Sequence, residues 1–211
     1  FVDLVQYDVP ITAQILNRYK NFNERVSKNL KIKTVEFTST KAVKPYVKPV
    51  FDLINKTYTE IYGFTKLTED EMTEFAERFL PLLNPKLIKM ITDENGELLA
   101  FIIAMADLSE AIKNSRGRIL PFGWARILWA MKTSKRLQLL LGAIHPNYQN
   151  KGLDAVLATM LFGSALKLGF KTVDSHLIMK DNLKMRGEIE KLEGFNLYKE
   201  YCIFRKNLVV G

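Results

Sequence analysis

Cysteine and histidine are nearly absent from this sequence. Its one cysteine, Cys202, excludes an internal disulfide and suits a reducing compartment, so we expect a cytoplasmic protein. The two histidines, His145 and His176, are distant in the sequence and lack metal-ligand spacing, so no metal site is expected. A Walker loop, a G-x-G-x-x-G motif and a nucleophile elbow are also missing, so the sequence carries no motif for these nucleotide-binding and hydrolase classes.

Long apolar runs are missing as well. No stretch approaches the roughly 20 apolar residues that span a bilayer, and no signal peptide is visible, so we expect no transmembrane segment. The chain has 211 residues, 47% hydrophobic and 26% charged, which is the composition of a globular protein with one sizeable core and an appendage. Because it starts at Phe1 without a methionine, we expect a portion of a longer protein.

Acidic residues are missing from residues 111–153, although the whole chain has a net charge of +8. The same segment contains eight basic residues: Lys113, Arg116, Arg118, Arg126, Lys132, Lys135, Arg136 and Lys151. Such a field attracts an anionic ligand, for which coenzyme A, an acidic carrier protein or an anionic membrane surface are candidates. No nucleic-acid partner is expected, because no binding motif is present. A plain solvated basic face is the alternative.

The most informative stretch covers residues 136–154. An apolar run at residues 137–144 predicts a buried strand, which Pro146 ends because proline has no N–H to donate. A polar loop follows, and apolar residues at steps of three and four predict a helix starting at Gly152. The free backbone N–H groups of such a helix start, together with Lys151, predict an anion-binding site.

The rest of the chain predicts a mixed α/β fold. Residues 1–10 are apolar and predicted to be irregular. Helices are predicted at residues 11–30, 47–62, 68–80 and 183–192, and strands at residues 31–37, 86–92, 98–106, 172–179 and 198–204. Thr12 is a candidate N-cap for the first helix, and the Asn-Gly pair at residues 95–96 predicts a hairpin.

Both tryptophans lie in a further predicted helix, at residues 122–132. Core packing of this inserted helix is one interpretation of Trp124 and Trp129. A wall of a substrate-binding pocket for an acceptor is the second. A membrane-contacting helix is the third, since the segment combines aromatic with basic residues.

The loop and its surroundings resemble the GNAT (GCN5-related N-acetyltransferase) superfamily. Gln149 and Gly152 match its Gln/Arg-x-x-Gly-x-Gly/Ala signature, whereas Asp154 departs from it. The order of later elements is also similar to a GNAT domain, which implies an α/β (α+β) fold with a mostly antiparallel central sheet flanked by helices. We expect residues 31–211 to form this domain, and residues 1–30 an N-terminal helical extension or interdomain joint. Residues 55–64, 121–123 and 198–208 resemble the C-terminal domain of long, uncharacterised bacterial GNAT proteins.

The resemblance implies acetyl-CoA or another acyl-CoA as co-substrate. Backbone groups of Ala143, Ile144 and His145 would then pair with the pantetheine arm. The pyrophosphate would bind at six loop and helix residues: Gln149, Asn150, Lys151, Gly152, Leu153 and Asp154. Asn182 either contacts the cofactor arm or caps the following helix.

The implied reaction is direct acyl transfer to an unknown small-molecule or peptide amine, that is, N-acyltransferase activity. The family's tyrosine acid is missing from residues 185–192, and Tyr148, Tyr198 and Tyr201 are the substitutes. His145 is the candidate base, against the alternative that it satisfies loop backbone before Pro146. Two other functions stay open: an inactive acyl-CoA-binding or interaction module, and an acyltransferase that takes its donor from an acyl carrier protein.

Overall fold

A computed structural model describes residues 2–115 and 123–204. Within these ranges the strands are β1 (Val2–Pro10), β2 (Lys33–Glu36), β3 (Ile88–Thr92), β4 (Leu98–Ala106), β5 (Arg136–Ile144), β6 (Thr172–Asp174), β7 (Ile178–Met179) and β8 (Asn196–Ile203). The helices are α1 (Ala13–Leu30), α2 (Thr40–Val43), α3 (Val47–Thr57), α4 (Glu69–Phe79), α5 (Ser109–Asn114), α6 (Gly123–Thr133), α7 (Leu153–Lys167) and α8 (Leu183–Glu190). None of these helices is long and apolar enough to cross a bilayer.

The strands form one mixed sheet in the order β2-β3-β4-β5-β6-β1-β7, with β8 paired to β1. Every described pair is antiparallel except β5 with β6, which run parallel. Helices α1 and α7 contribute to the cores on one side of the sheet, and α3 and α4 to the core on the other. The predicted fold class, a mostly antiparallel sheet flanked by helices, is confirmed.

The prediction that residues 1–10 are irregular is wrong. β1 pairs with β6 and β7 along one edge and with β8 along the other, so it is an interior strand. Val5, Tyr7 and Val9 are buried, and the polar Gln6 and Asp8 alternate with them. This period of two is the pattern of a strand with one apolar face. The domain boundary placed after residue 30 stays a prediction.

The local signals at helix starts are confirmed. The Thr12 hydroxyl accepts from the amide of Ile15 at 3.4 Å, which caps α1 as predicted. At α4, Thr68 and Glu71 form a reciprocal capping box. Two predicted elements are shorter than expected: the helix from Val47 ends at Thr57, and the strand of residues 172–179 is interrupted at residues 175–177. Residues 121 and 122 of the turn resembling long bacterial GNAT proteins lie outside the described residues.

Candidate functional site

Strand β5 is paired along its whole length on one edge and along only a third of it on the other. Seven register pairs join it to β4, whereas β6 meets it only between Arg136 and Gln138. From Leu139 to Ile144, no described strand pairs with this second edge. Gly142 is accordingly exposed, although β5 lies in the middle of the sheet. The two parallel strands therefore diverge and leave an opening towards the C-terminal end of β5.

The hydrogen-bond pattern identifies which peptide groups face this opening. The amide of His145 donates to the carbonyl of Leu99 on β4 at 2.8 Å, so His145 and, by alternation, Ala143 pair with β4. The peptide groups of Gly142 and Ile144 then face the other way, into the opening. Further back, Ile103 is in register with Leu141 and Ala104 with Leu139, so the residue between them, Leu140, is the extra residue of a β-bulge.

Tyr58 occupies part of the open edge, and sequence reasoning missed it. Its hydroxyl donates to the carbonyl of Gly142 at 2.9 Å and accepts from the amide of the same residue at 3.2 Å. Burial raises the pKa of Tyr58, while its hydrogen bond to Gly142 opposes this, so the hydroxyl keeps its proton at neutral pH. Tyr58 reaches this position because α3 ends at Thr57, with the Tyr58 amide donating to Ile54.

The loop after β5 presents a run of backbone amides. A single 3₁₀ turn over Pro146–Tyr148 leads to Asn150 and Gly152, which have φ of 59° and 86°. In the described part of the chain, no protein atom accepts a hydrogen bond from the amides of residues 150–154. Five successive N–H groups at a helix start form a local positive field that suits an anion.

Asp154 lies in the first turn of α7 and is exposed. The pKa of Lys191, at the end of α8, is raised chiefly by Glu188, and the charge of Asp154 makes a smaller contribution in the same direction.

His145 and Lys56 form a contact at the mouth of the opening. The Nζ of Lys56 lies 2.7 Å from Nε2 of His145, and the amide of Asn147 lies 3.3 Å from Nδ1. The Asn147 amide donates to Nδ1, which caps the 3₁₀ turn, and a neutral imidazole has only one acceptor nitrogen. Nδ1 and Nε2 therefore cannot both accept a hydrogen bond in the same tautomer. Burial, and then the charge of Lys56, lower the pKa of His145 below its ordinary value. Its ring is therefore uncharged at neutral pH.

The remaining predicted loop residues pack against one another. The Tyr148 ring meets the His145 ring edge-on, with centroids 6.0 Å apart, and Lys151 Nζ lies 5.2 Å from the Tyr148 ring centre. The side-chain amide of Gln149 donates to the carbonyl of Ile144 at 3.3 Å, on the open edge. A Cβ added to Gly152 would lie 2.8 Å from the ring of Phe22 on α1. A substitution at Gly152 would therefore disturb helix packing as well as any ligand.

A cavity of about 1330 Å³ lies at the other end of β5, where it still pairs with β6. Helices α5 and α6 contribute to its walls, with Arg126 and Trp129 among the lining residues. It also includes Gln138, the last residue of β5 before the strands diverge. From Arg136 to Ile144 the strand spans about 26 Å at 3.3 Å per residue, so the cavity and the amide loop lie at opposite ends of it.

A buried carboxylate, Asp174 on β6, lies in the lining of this cavity and is only 3% exposed. It accepts hydrogen bonds from Gln6 Nε2 and the Tyr198 hydroxyl, both at 2.6 Å, and from the His176 amide at 2.8 Å. Arg136 Nη2 donates to the same carboxylate at 3.0 Å. This cluster joins β1, β5, β6 and β8, and no local sequence signal points to it because its members are distant in the chain.

No protein-family model matches the chain. It is 24% identical over 168 residues to the bacterial ceramide synthase of Caulobacter vibrioides, covering 77% of this chain and 43% of that protein. It is 27% identical over 164 residues to protein YghO of Escherichia coli, covering 74% of this chain and 41% of that protein. The chain thus spans about two fifths of the length of these curated relatives.

Solved structures resemble the chain over nearly its full length. A tandem GNAT protein from the clavulanic acid biosynthesis pathway superposes with a TM-score of 0.57 at 12% identity, covering 94% of this chain and 51% of that one. A GCN5-related N-acetyltransferase from Sphaerobacter thermophilus gives 0.54 at 9% identity, covering 95% and 50%. The chain has the GNAT fold. Most of the residues predicted for the cofactor site, from His145 to Asp154, lie in the loop between β5 and α7 and in the first turn of α7.

Three further residues predicted for the site, Asn182, Trp124 and Trp129, lie on α6 or at the start of α8. The side chain of Asn182 accepts from the amide of Met185 at 3.2 Å, so it caps α8, as one of its two interpretations held. Trp129 lines the cavity at the far end of β5, and Trp124 lies on the same helix with half of its surface exposed. Core packing is therefore a poor description of either tryptophan.

Replacing Asp174 by asparagine should destabilise the fold. The asparagine NH₂ group would face groups that now donate hydrogen bonds to the carboxylate, and the negative charge opposite Arg136 would be lost. We therefore expect the free energy of unfolding to fall by about 2–4 kcal/mol. Denaturant unfolding measures this, with the exposed Asp181→Asn as the control. A loss within 0.5 kcal/mol of the control, about the usual size for surface changes, would contradict this account of the cluster.

The Lys56 contact makes a prediction about pH. The pKa of His145 is lower in the folded than in the unfolded chain. At pH values between these two pKa values, the unfolded chain therefore binds more protons than the folded chain. The contribution of His145 to stability is therefore present above about pH 6.5 and is lost as the pH falls towards the lower folded-state pKa. In Lys56→Met, the pKa of His145 should rise towards its ordinary value in an NMR titration. The exposed Lys66→Met serves as the control, and an unchanged or lower pKa in Lys56→Met would contradict the contact.

Proposed function

We propose that this chain is an acyl-CoA-dependent acyltransferase domain that transfers an acyl group directly to an amine. The observation that carries the proposal is the run of five amides, residues 150–154, at the end of a central strand that diverges from its parallel neighbour. The GNAT fold supports this interpretation, since the fold neighbours are N-acetyltransferases. The amides would bind the pyrophosphate, and Lys151 would add positive charge.

The pantetheine arm would run along the open edge of β5 as an added strand. Of the residues first assigned to this role, Ala143 and His145 direct their peptide groups towards β4. The peptide groups that could pair with the pantetheine arm are therefore those of Gly142 and Ile144. This arrangement would bring the thioester towards the bulge at Leu140. The acyl group would then lie near Gln138, where the cavity begins.

Transfer requires an uncharged amine, which attacks the thioester carbonyl. A C–N bond forms, the C–S bond breaks, and coenzyme A leaves as a thiol after taking up a proton. His145 has the uncharged ring that a base needs, but Lys56 Nζ lies 2.7 Å from its Nε2 and the Asn147 amide donates to its Nδ1. A role of His145 as base therefore requires Lys56 to move away. Tyr148, its edge-on neighbour, stays a candidate acid.

The cavity is our candidate acceptor site. Its lining includes the carboxylates of Asp107 and Glu110, which suit an ammonium group, and the indole of Trp129, which suits an apolar portion. The Caulobacter relative is named a ceramide synthase, and a ceramide is the amide of a fatty acid with a long-chain amino alcohol. We therefore favour an acceptor amine that carries an apolar chain.

The donor site is tested by calorimetric titration with coenzyme A and acetyl-CoA. The wild-type chain should bind both, and pantetheine, which lacks the pyrophosphate, should bind more weakly. Lys151→Glu should weaken coenzyme A binding about tenfold or more, because it sets a negative charge beside the diphosphate. Lys167→Glu, the same charge change at the far end of α7, should leave affinity unchanged. Equal affinities of the two variants, or no binding by the wild type, would reject the donor site.

Thiol release separates an enzyme from a binding module. With acetyl-CoA or a long-chain acyl-CoA as donor, we expect thiol release that depends on an added amine, most strongly with a long-chain amino alcohol. Donor binding without release across a panel of amines would favour the inactive module. Failure to bind coenzyme A, combined with turnover of an acylated carrier protein, would favour the carrier-protein donor.

Replacing Tyr58 by phenylalanine should tighten donor binding. The Tyr58 hydroxyl hydrogen-bonds to both the amide and the carbonyl of Gly142. An acyl-CoA that pairs with β5 must therefore displace this hydroxyl. Because a net hydrogen bond contributes about 0.5–1.5 kcal/mol, affinity for coenzyme A should rise roughly two- to tenfold. Tyr46→Phe, which alters another half-buried tyrosine that packs against Phe37, is the matched control. Weaker binding by Tyr58→Phe would show that the donor does not use this edge.

A further inference from the structure

Helix α6 leaves large apolar side chains in solvent. Trp124 and Leu128 are each 51% exposed, and Trp129 is 68% exposed. At about 100° per residue, these three positions fall within an arc of about 140° on one side of the helix. Ile127 and Met131 lie outside this arc and are half-buried, so the helix has a distinct inner side. An apolar face of this kind on a chain surface marks an interaction site.

Basic residues lie beside this apolar face and, in the case of Lys132 at the end of α6, within its arc. Arg126 and Lys132 on α6 are exposed, as are Lys113 on α5 and Lys135 just after α6. Helix α5 is held against α6, in part by a hydrogen bond from Arg126 Nη1 to the carbonyl of Asn114 at 3.0 Å. No acidic residue occurs between positions 111 and 153 of the sequence. We name these exposed residues, together with Ile112, Trp124, Leu128 and Trp129, the α5–α6 surface.

We infer that the α5–α6 surface docks onto an anionic lipid bilayer. Tryptophan concentrates at the membrane–water interface, where its ring is buried while its N–H stays in contact with polar groups. Lysine and arginine beside it add attraction to anionic headgroups, and their stems reach past an apolar face to the headgroup level. The helix is short, so it lies in the plane of the interface and does not cross the bilayer.

The position of the cavity agrees with this occupant. Arg126 and Trp129 belong both to the α5–α6 surface and to the cavity lining. The cavity therefore borders the docked face, and an amphipathic amine dissolved in the bilayer could enter it without passing through water. This consequence for the acceptor rests on the proposed function, whereas the docking itself does not.

Tryptophan fluorescence and vesicle co-sedimentation test the inference directly. The chain has two tryptophans, both on α6, so its tryptophan emission reports on this helix alone. Vesicles of phosphatidylcholine mixed with phosphatidylglycerol should bind the chain and shift its emission to shorter wavelength. Vesicles of phosphatidylcholine alone should bind much less, and added salt should weaken binding to the mixed vesicles. No binding to the mixed vesicles by the wild type would overturn the inference.

Two matched substitutions locate the docking face. Leu128→Glu should lower the vesicle partition coefficient at least tenfold, and Lys132→Glu should lower it severalfold. Leu183→Glu on α8, at a leucine that is 71% exposed, should have little effect. An equal loss of vesicle binding in Leu128→Glu and Leu183→Glu would overturn the assignment. A wild-type dimer that does not bind vesicles and that dissociates in Leu128→Glu would also overturn it. Coenzyme A titration of Leu128→Glu separates the two proposals, because donor binding should be retained when docking is lost.

Discussion

The limited pairing between β5 and β6 is the constraint on which the candidate site depends. Parallel strands that stayed in register beyond Gln138 would use the peptide groups of Gly142 and Ile144 within the sheet. Because the strands diverge, no described strand pairs with these groups, and the side chains of Tyr58 and Gln149 bond to Gly142 and Ile144 instead. The bulge at Leu140 lies at the same place and adds local twist. The opening is thus built into the sheet and does not depend on a mobile loop.

Something must hold β6 in place once it leaves β5, and β1 does so. β1 pairs with β6 and β7 along one edge and accepts β8 along the other, which completes the sheet beyond the opening. The buried Asp174 carboxylate adds cross-links from β6 to Gln6 on β1, Arg136 on β5 and Tyr198 on β8. A charged cluster of this kind costs desolvation energy, but it fixes one arrangement of four strands.

Sequence reasoning succeeded where the signal is local. The apolar run, the proline and the glycine of residues 136–152 define a strand, a loop and a helix without reference to the rest of the chain. It failed for β1 because the interior position of this strand depends on partners up to 201 positions away, as in the pairing of Val2 with Ile203. Tyr58 was missed because no proline or glycine marks the end of α3 at Thr57, and the contact with Gly142 joins distant segments.

Asp154 departs from the GNAT signature by placing a carboxylate at the start of α7. A carboxylate at this position repels a diphosphate only if it shares the space of the amides. Asp154 is exposed in the first helical turn, where a negative charge interacts favourably with the helix dipole, and it makes a minor contribution to the raised pKa of Lys191, which follows α8. Solvent screens its remaining effect on the loop. The backbone amides offer an anion the same donors whatever this side chain is, so the departure lowers the net charge of the site without closing it.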